Sequence, residues 1–290
     1  MNKFIGKLKG KNIIVGDGGM GTGLQSQGLS SGEAPENWNL KYPQKVKKVH
    51  KDYLKAGADL IETNTFGGNY FRLKESNLEN KLEKINETAV RIAQNAANRE
   101  TIIAGSVGPT GKMLKPLGTL SKNEVLEAYQ KQISILLNNG VDVIILETFS
   151  DINEIEQALK AVNDFEIPVI AQMNFRENMT TVMGCDIKTM IAVFKKYEIN
   201  VLGFNCTPGA KKTLPLIKKL REHNEKPFSV FPNAGEPLLQ EGKVTYPEGS
   251  EDFIPFIKKF IDLNVRIIGG CCGTNPEIIK KIKKEVNDWQ

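Results

Sequence analysis

The sequence predicts an α/β protein: a single-domain (β/α)8 barrel of the TIM type that covers residues 1–290. Eight short apolar runs rich in Ile and Val alternate with amphipathic helical patterns, as expected of parallel strands buried on both faces. The length is close to the roughly 250 residues typical of that fold, and no Ser/Gly/Pro-rich linker divides the chain. An open, doubly wound parallel sheet is the alternative architecture.

The predicted strands cover residues 12–17, 59–65, 101–107, 141–148, 168–175, 200–206, 228–233 and 265–270. Between them, apolar side chains recur at helical spacing, for example along 82–96 and 253–261. Active sites of such barrels lie at the C-terminal ends of the strands. Glycine, acidic, amide and thiol residues concentrate at these ends in this chain, which predicts a functional site there.

Charge and hydropathy argue against two classes of partner. The net charge of +5 is modest and the lysines are spread along the chain, which favours a solvated surface over nucleic-acid binding. No apolar run approaches the roughly 20 residues that span a bilayer, and the N-terminus lacks the apolar core of a signal peptide. We therefore expect a cytoplasmic protein with no membrane or nucleic-acid partner, whose four cysteines stay reduced.

Three of the four cysteines stand at the ends of predicted strands. Cys206 ends the sixth strand, and Cys271 and Cys272 end the eighth. One strand separates the sixth from the eighth in a barrel, so the three thiols can converge. Three protein ligands with one open position are typical of a catalytic zinc site. The remaining cysteine, Cys185, is interpreted as a small buried hydrophobe.

A redox switch or a nucleophile built on the adjacent Cys271 and Cys272 is the alternative use of these thiols. A nucleophilic cysteine would usually have a histidine partner, but His50 and His223 fall on predicted outer helices. Zinc held by thiols alone is therefore favoured. Such a centre is poorly suited to making hydroxide, but it can bind a further thiol, displace its proton and leave a nucleophilic thiolate. Methylation of a substrate thiol fits this chemistry.

Two acids at strand ends suggest what carries that thiol. Asp17 follows the first predicted strand and Glu147 lies at the end of the fourth. Each acid could be a turn or helix-capping residue, but together they could bind an ammonium group through charge-assisted hydrogen bonds. An amino acid with a thiol side chain would satisfy both the acids and the zinc.

The glycine-rich loop after the first strand matches the dinucleotide-binding pattern only in its letters. The acid that should follow that pattern lies too far along the chain, at Glu62. We instead expect Gly18, Gly19 and Met20 to bring backbone N–H groups close to a substrate carboxylate.

Seven motifs, in order, resemble the homocysteine S-methyltransferase family. They are Asp-Gly-Gly-Met-Gly-Thr at 17–22, Glu-Thr-Asn-Thr-Phe-Gly at 62–67, Gly-Pro-Thr-Gly at 108–111, Glu-Thr-Phe-Ser-Asp at 147–151, Asn-Cys at 205–206, Pro-Asn-Ala-Gly at 232–235 and Gly-Gly-Cys-Cys-Gly-Thr at 269–274. The likeness is closest to the N-terminal homocysteine-binding module of cobalamin-dependent methionine synthase. It implies a zinc-bearing (β/α)8 barrel that methylates homocysteine to methionine, with Cys206, Cys271 and Cys272 as zinc ligands.

The resemblance also assigns roles to three further residues. It implies that Asp17 and Glu147 contact the homocysteine amine and that Asn233 can be the fourth zinc ligand when substrate is absent. It leaves the methyl donor open between methylcobalamin on a separate corrinoid protein, S-methylmethionine or a similar sulfonium, and betaine. A module that only presents homocysteine to a corrinoid protein is a further alternative, as is a redox sensor that uses the adjacent cysteines.

Overall fold

Strands and helices alternate along the chain in the computed structural model, which describes residues 2–10, 12–240 and 243–289. The strands are Ile14–Val15 (β1), Leu60–Glu62 (β2), Ile102–Val107 (β3), Val143–Phe149 (β4), Val169–Met173 (β5), Val201–Asn205 (β6), Phe228–Phe231 (β7), Leu238–Gln240 (β8), Lys243–Thr245 (β9) and Val265–Ile268 (β10). The α-helices are Lys3–Lys9 (α1), Met20–Gln25 (α2), Trp38–Lys41 (α3), Pro43–Ala56 (α4), Tyr70–Glu75 (α5), Leu82–Ala96 (α6), Lys122–Asn138 (α7), Ile152–Asn163 (α8), Ile187–Phe194 (α9), Ala210–Arg221 (α10), Ser250–Asp262 (α11) and Pro276–Trp289 (α12).

Eight of the strands form one parallel sheet in the order β1-β10-β7-β6-β5-β4-β3-β2. The first and last strands of this order, β1 and β2, are connected by hydrogen bonds of two aspartates, Asp59 and Asp17. The backbone N–H of Asp59 donates to the carbonyl of Val15 (2.7 Å), and the Asp59 carboxylate accepts from the Val15 N–H (3.0 Å). At the other end of the seam, the Asp17 carboxylate accepts from the Glu62 N–H (3.0 Å). The predicted (β/α)8 barrel is confirmed, and the open doubly wound sheet is excluded.

The barrel interior is filled by apolar side chains that alternate along the strands, as the period of a β-strand requires. They are Ile14, Leu60, Ile102, Ala104, Val143, Ile145, Ile170, Val201, Phe231 and Ile267, and Phe4 of α1 packs with them. The Asn2 side chain caps α1 by accepting from the N–H of Phe4 (2.9 Å), and its amide donates to the carbonyl of Asp142 (2.8 Å). Helix α1 therefore covers the N-terminal end of the barrel, while a cavity opens at the C-terminal end.

All eight predicted barrel strands are confirmed, with shorter bounds than expected. The helical patterns at 82–96 and 253–261 correspond to α6 and α11. Helix α1 and the antiparallel hairpin of β8 and β9 were not predicted. In the described ranges, no helix is long and apolar enough to cross a membrane.

Candidate metal and substrate site

The three predicted cysteines meet at the C-terminal end of the barrel. Cys206 follows β6, while Cys271 and Cys272 follow β10, and the three sulfur atoms all lie within 4.8 Å of one another. Strand β7 lies between β6 and β10, and the backbone at its C-terminal end forms hydrogen bonds with both cysteine-bearing segments. The Cys206 N–H donates to the carbonyl of Phe231 (2.9 Å), and the Cys271 N–H donates to that of Pro232 (2.8 Å). The sheet order thus brings the thiols together, as the sequence predicted.

Cys206 has an unusual backbone conformation that its neighbours stabilise. Its φ of 51° lies in the left-handed region, which non-glycine residues seldom occupy and which recurs at functional sites. The side-chain amides of Asn174 and Asn233 both donate to the Cys206 carbonyl, at 2.7 and 3.2 Å. The Thr148 hydroxyl lies 3.8 Å from its sulfur. These contacts direct the Cys206 side chain toward the other two thiols.

The sulfur atoms of Cys206 and Cys271 are in contact as a disulfide, with Cα atoms 5.4 Å apart, and Cys272 has a free thiol. When reduced, the same three sulfur atoms form a ligand set that could hold a metal ion. A disulfide and a metal would compete for these atoms, because only thiolates bind metals.

Asn233 supplies a candidate fourth ligand. Its side chain is buried, and its Oδ1 has no hydrogen-bond donor in the described part of the chain. Its Nδ2 donates to the Cys206 carbonyl, which places the amide beside a cysteine ligand. A buried amide oxygen without a donor is costly unless something else satisfies it. Asn233 Oδ1 is therefore a candidate for the one ligand position that three cysteines would leave open.

Tyr246, which the sequence did not indicate, borders Cys272. Burial raises the pKa of the Cys272 thiol, and a hydrogen bond with the Tyr246 side chain partly offsets this. Gly273 (φ 79°) packs against Tyr246, and a Cβ at this position would collide with the tyrosine side chain. Glycine at 273 therefore lets the segment that carries Cys271 and Cys272 pass in direct contact with Tyr246.

Three carboxyl groups lie close together beside the cysteines: Asp17 after β1, Glu62 at the end of β2 and Glu147 in β4. Burial is the main cause that raises the pKa of all three, and the charge of Glu147 raises the pKa values of Asp17 and Glu62 further. The Glu147 carboxylate accepts hydrogen bonds from the Ser106 hydroxyl and from the Asn205 amide (3.1 Å). The two acids that the sequence predicted, Asp17 and Glu147, therefore lie close together, and Glu62 is a third member of the same cluster.

The glycine loop leads directly into α2. The Gly19 N–H is already engaged, since it donates to the Thr274 hydroxyl (3.1 Å), and the Tyr53 hydroxyl donates to the Gly19 carbonyl (3.2 Å). Met20 begins α2, so its N–H and those of the next residues precede the first hydrogen bond within the helix. These N–H groups and that of Gly18 have no acceptor among the described residues and remain for a ligand.

A single cavity of about 660 Å³ connects these groups. It is lined by Gly18, Gly19, Met20, Gly21, Thr22, Gly32, Glu33, Ala34, Pro35, Glu36, Glu62, Thr63, Asn64, Phe66, Gly67, Arg72, Glu75, Ser76, Ser106, Glu147, Thr148, Cys206, Gly270, Cys271 and Cys272. Of the predicted site residues, Asp17 and Asn233 do not line it. The Asp17 carboxylate accepts from the Glu62 N–H, and the Asn233 amide donates to the Cys206 carbonyl, so each residue is in contact with one that lines the cavity.

The remaining cysteine and the histidines lie outside this cavity. Cys185 is buried, as expected, and burial raises the pKa of its thiol to about 11. His50 lies on α4, as the helical pattern suggested, but it is fully buried rather than exposed. His223 is in a turn beyond the end of α10. Neither histidine takes part in the described site.

The fold and the site together define a class, a (β/α)8 barrel with a thiol-rich candidate metal site and buried acids at its C-terminal end. The chain belongs to the homocysteine S-methyltransferase family, whose family model matches residues 14–286. It is similar to methionine synthase of Mycobacterium leprae, with 30% identity over 95% of this chain but 24% of that protein. The chain thus spans about a quarter of the length of that relative.

Two further similarities cover nearly the whole of both proteins. Selenocysteine Se-methyltransferase of Brassica oleracea is 28% identical over 99% of this chain and 92% of the relative. The metallated form of the homocysteine methyltransferase MmuM from Escherichia coli has the same fold, with a TM-score of 0.83 and 21% identity, and the match covers 98% of this chain and 99% of that one.

Proposed function

We propose that residues 1–290 form one homocysteine-binding barrel domain that catalyses the zinc-dependent S-methylation of homocysteine to methionine. The observation that carries this proposal is one cavity lined both by the three convergent cysteines and by the acids Glu62 and Glu147. A thiol amino acid is the substrate class that complements both groups, with its sulfur toward the metal and its ammonium toward the acids. Membership of the family supports homocysteine as that amino acid.

Cys206, Cys271 and Cys272 would hold the zinc, with Asn233 Oδ1 as the fourth ligand when no substrate is bound. When bound, zinc lowers the pKa of a coordinated thiol, so that it is a thiolate near neutral pH. An amide oxygen is a harder and weaker zinc ligand than a thiolate, so Asn233 can give way to a substrate sulfur. Because the cysteines must be reduced to act in this way, we place the protein in the cytoplasm.

The chain's own residues would bind and orient the amino acid. Asp17 and Glu147 would accept hydrogen bonds from the ammonium group, and Ser106 and Asn205 hold the Glu147 carboxylate in place. The loop of Gly18, Gly19 and Met20 would receive the substrate carboxylate, through the N–H groups that Thr274 leaves unused. Fixing both ends of the amino acid orients its sulfur for attack on a methyl group.

For the methyl donor we propose a corrinoid protein, and a small sulfonium such as S-methylmethionine is the second candidate. Among the described residues, eight of the eleven exposed large hydrophobic side chains lie on three loops at the catalytic end of the barrel. They are Met113 and Leu117 after β3, Met179, Val182 and Met183 after β5, and Leu238, Leu239 and Val244 after β7. Exposed apolar side chains at this end of the barrel favour contact with another protein. The length of the methionine synthase relatives supports a donor carried elsewhere, on a further domain or protein.

A donor panel on reduced, zinc-loaded protein tests this function. Homocysteine is held constant and methionine is measured with methylcobalamin, methyltetrahydrofolate, S-methylmethionine, S-adenosylmethionine and betaine, each with and without a corrinoid protein. Methionine formed with methylcobalamin on the corrinoid protein supports the first candidate donor, and methionine formed with S-methylmethionine alone supports the second. Zinc-loaded protein that neither binds homocysteine nor forms methionine from any donor would contradict the proposed function.

A further inference from the structure

Glu62 differs from the two predicted substrate acids because its carboxyl group receives no hydrogen bond from a protein N–H or hydroxyl in the described part of the chain. One oxygen of Asp17 accepts from the Glu62 N–H, and the oxygens of Glu147 accept from Ser106 and Asn205. The Glu62 side chain lines the cavity, and its carboxyl group lies within hydrogen-bonding reach of Glu147. It therefore has free acceptor capacity where a ligand would sit.

The three carboxyl groups also lack a positive partner. None of the ion pairs between described residues includes Asp17, Glu62 or Glu147. Carboxylates buried together without a cation repel one another and have lost their hydration, so a cation that enters the cavity would be bound favourably. An ammonium group has three N–H donors in a tripod, so it can bond to Glu62 and Glu147, which both line the cavity, and still have a donor for a further acceptor.

We infer that Glu62 is a third ligand of the substrate ammonium group and a specificity residue that selects amino-acid thiols over thiols without an amine. This inference rests on the proposed function, since it assumes that homocysteine occupies the cavity. In the empty site, the Glu62 carboxyl group lies within hydrogen-bonding reach of Glu147. An arriving ammonium group takes the place of this contact.

The experiment compares the binding of two thiols to reduced, zinc-loaded protein by calorimetry: L-homocysteine and 4-mercaptobutanoate, which lacks only the amine. Glu62→Gln removes the charge and directs an amide donor at Glu147, which blocks an acceptor of the ammonium group. We expect the Kd for homocysteine to rise about tenfold, as for one lost charge-assisted hydrogen bond. The Kd for 4-mercaptobutanoate should stay within about twofold, and so the preference for the amine falls.

Two further variants separate this role from a structural one. Glu62→Asp keeps the charge and should restore part of the preference, which makes it the second test if Glu62→Gln does not fold. Glu127→Gln makes the same chemical change on the exposed face of α7 and should alter neither Kd. Zinc content should equal that of the wild type in all three variants.

The outcomes distinguish the inference from the proposed function. Equal weakening of both thiols, or unchanged homocysteine binding in Glu62→Gln, would overturn the role of Glu62 while the proposed function stands. Wild-type protein that holds zinc but does not bind homocysteine would overturn both.

Discussion

The two ends of the barrel treat their acidic residues in opposite ways. At the N-terminal end, Asp59 and Asp142 precede β2 and β4, and each accepts from a strand N–H, at 3.0 and 2.8 Å. Each is also paired with a lysine: Lys283 lies 2.8 Å from Asp59, and Lys3 lies 3.0 Å from Asp142. These acids have the partners that a structural carboxylate needs.

At the C-terminal end, the acids beside the cavity have no cation among the described residues. Asp17, Glu62 and Glu147 are buried beside a cavity, and no described lysine or arginine pairs with them. Burial raises their pKa values, whereas a lysine partner would lower them. The contrast is that acids which complete the fold are satisfied within the chain, while the acids at the cavity have no cation among the described residues.

The largest effect should come from removing one of the three convergent thiols. We expect Cys206→Ser, reduced and then loaded with zinc, to retain almost none of the roughly one zinc per chain of the wild type, and to lose methionine formation. Metal analysis and the activity assay measure the two losses. Cys185→Ser is the matched control, because that buried thiol lies outside the cavity and its pKa is raised to about 11. Retention of full zinc by Cys206→Ser would contradict the assignment of Cys206 as a ligand.

Matched changes at the two ends test the comparison directly. Glu147→Gln should raise the Kd for homocysteine roughly hundredfold, because it removes a charged acceptor of the ammonium group and leaves folding largely intact. Asp142→Asn should instead lower the free energy of unfolding by about 1 kcal/mol, by weakening the contacts with Ile103 and Lys3, and leave that Kd unchanged. Calorimetry and urea denaturation give the two quantities. The comparison fails if Asp142→Asn weakens binding as strongly as Glu147→Gln does.

Removing the Asn233 amide, whose Oδ1 has no hydrogen-bond donor among the described residues, should have a smaller effect on zinc affinity. The effect should depend on whether homocysteine is bound. Asn233→Ala should weaken zinc binding about tenfold in the absence of homocysteine, since one ligand is lost. With homocysteine present, we expect wild-type and variant affinities to converge, because the substrate sulfur would replace the amide. Competition with a chelator measures both affinities. An equal loss in both conditions would mean that Asn233 only supports Cys206 through its Nδ2 hydrogen bond.

The fold was predictable because most barrel strands are continuous apolar runs and the helices between them are strongly amphipathic. Runs such as Val143–Phe149 and Ile102–Val107 are buried on both faces, so their composition identifies them without knowledge of their neighbours. The β8–β9 hairpin was missed because it is short and Leu238 and Leu239 are exposed. The closure of the barrel through Asp59 was also missed, since it depends on contacts between β1 and β2.

The site was predictable in its thiols and only partly in its acids. Cys206, Cys271 and Cys272 stand at strand ends, and the fold alone brings strand ends together. Glu62 also ends a strand and begins the motif at 62–67, but its position in the sequence does not indicate a substrate role. Its role depends on the orientation of its side chain toward Glu147, and strand position does not determine that.

His50 should have the smallest effect on zinc and homocysteine binding, and it tests whether a buried polar group without partners always marks a site. It is fully buried on α4, and neither ring nitrogen has a hydrogen-bond partner among the described residues, yet it lies outside the cavity. Burial lowers its pKa to about 4, so between pH 6.5 and 4 the unfolded chain binds a proton that the folded protein does not. The titration of His50 therefore leaves the free energy of unfolding unchanged above pH 6.5. As the pH falls from 6.5 toward 4, it lowers that free energy by up to about 1.4 kcal/mol per pH unit.

The acids at the cavity have raised pKa values and contribute with the opposite sign, so the wild-type profile alone does not isolate His50. The difference in unfolding free energy between wild type and His50→Leu does isolate it. We expect the free energy of unfolding of the variant at pH 7 to be at least that of the wild type, because the substitution removes two unsatisfied nitrogen atoms. As the pH falls toward 4, the variant should become increasingly more stable than the wild type. Zinc and homocysteine binding at pH 7 should not change. If His50→Leu weakened zinc or homocysteine binding, then a polar group without partners would matter for the site even when it lies in the helical layer, away from the cavity.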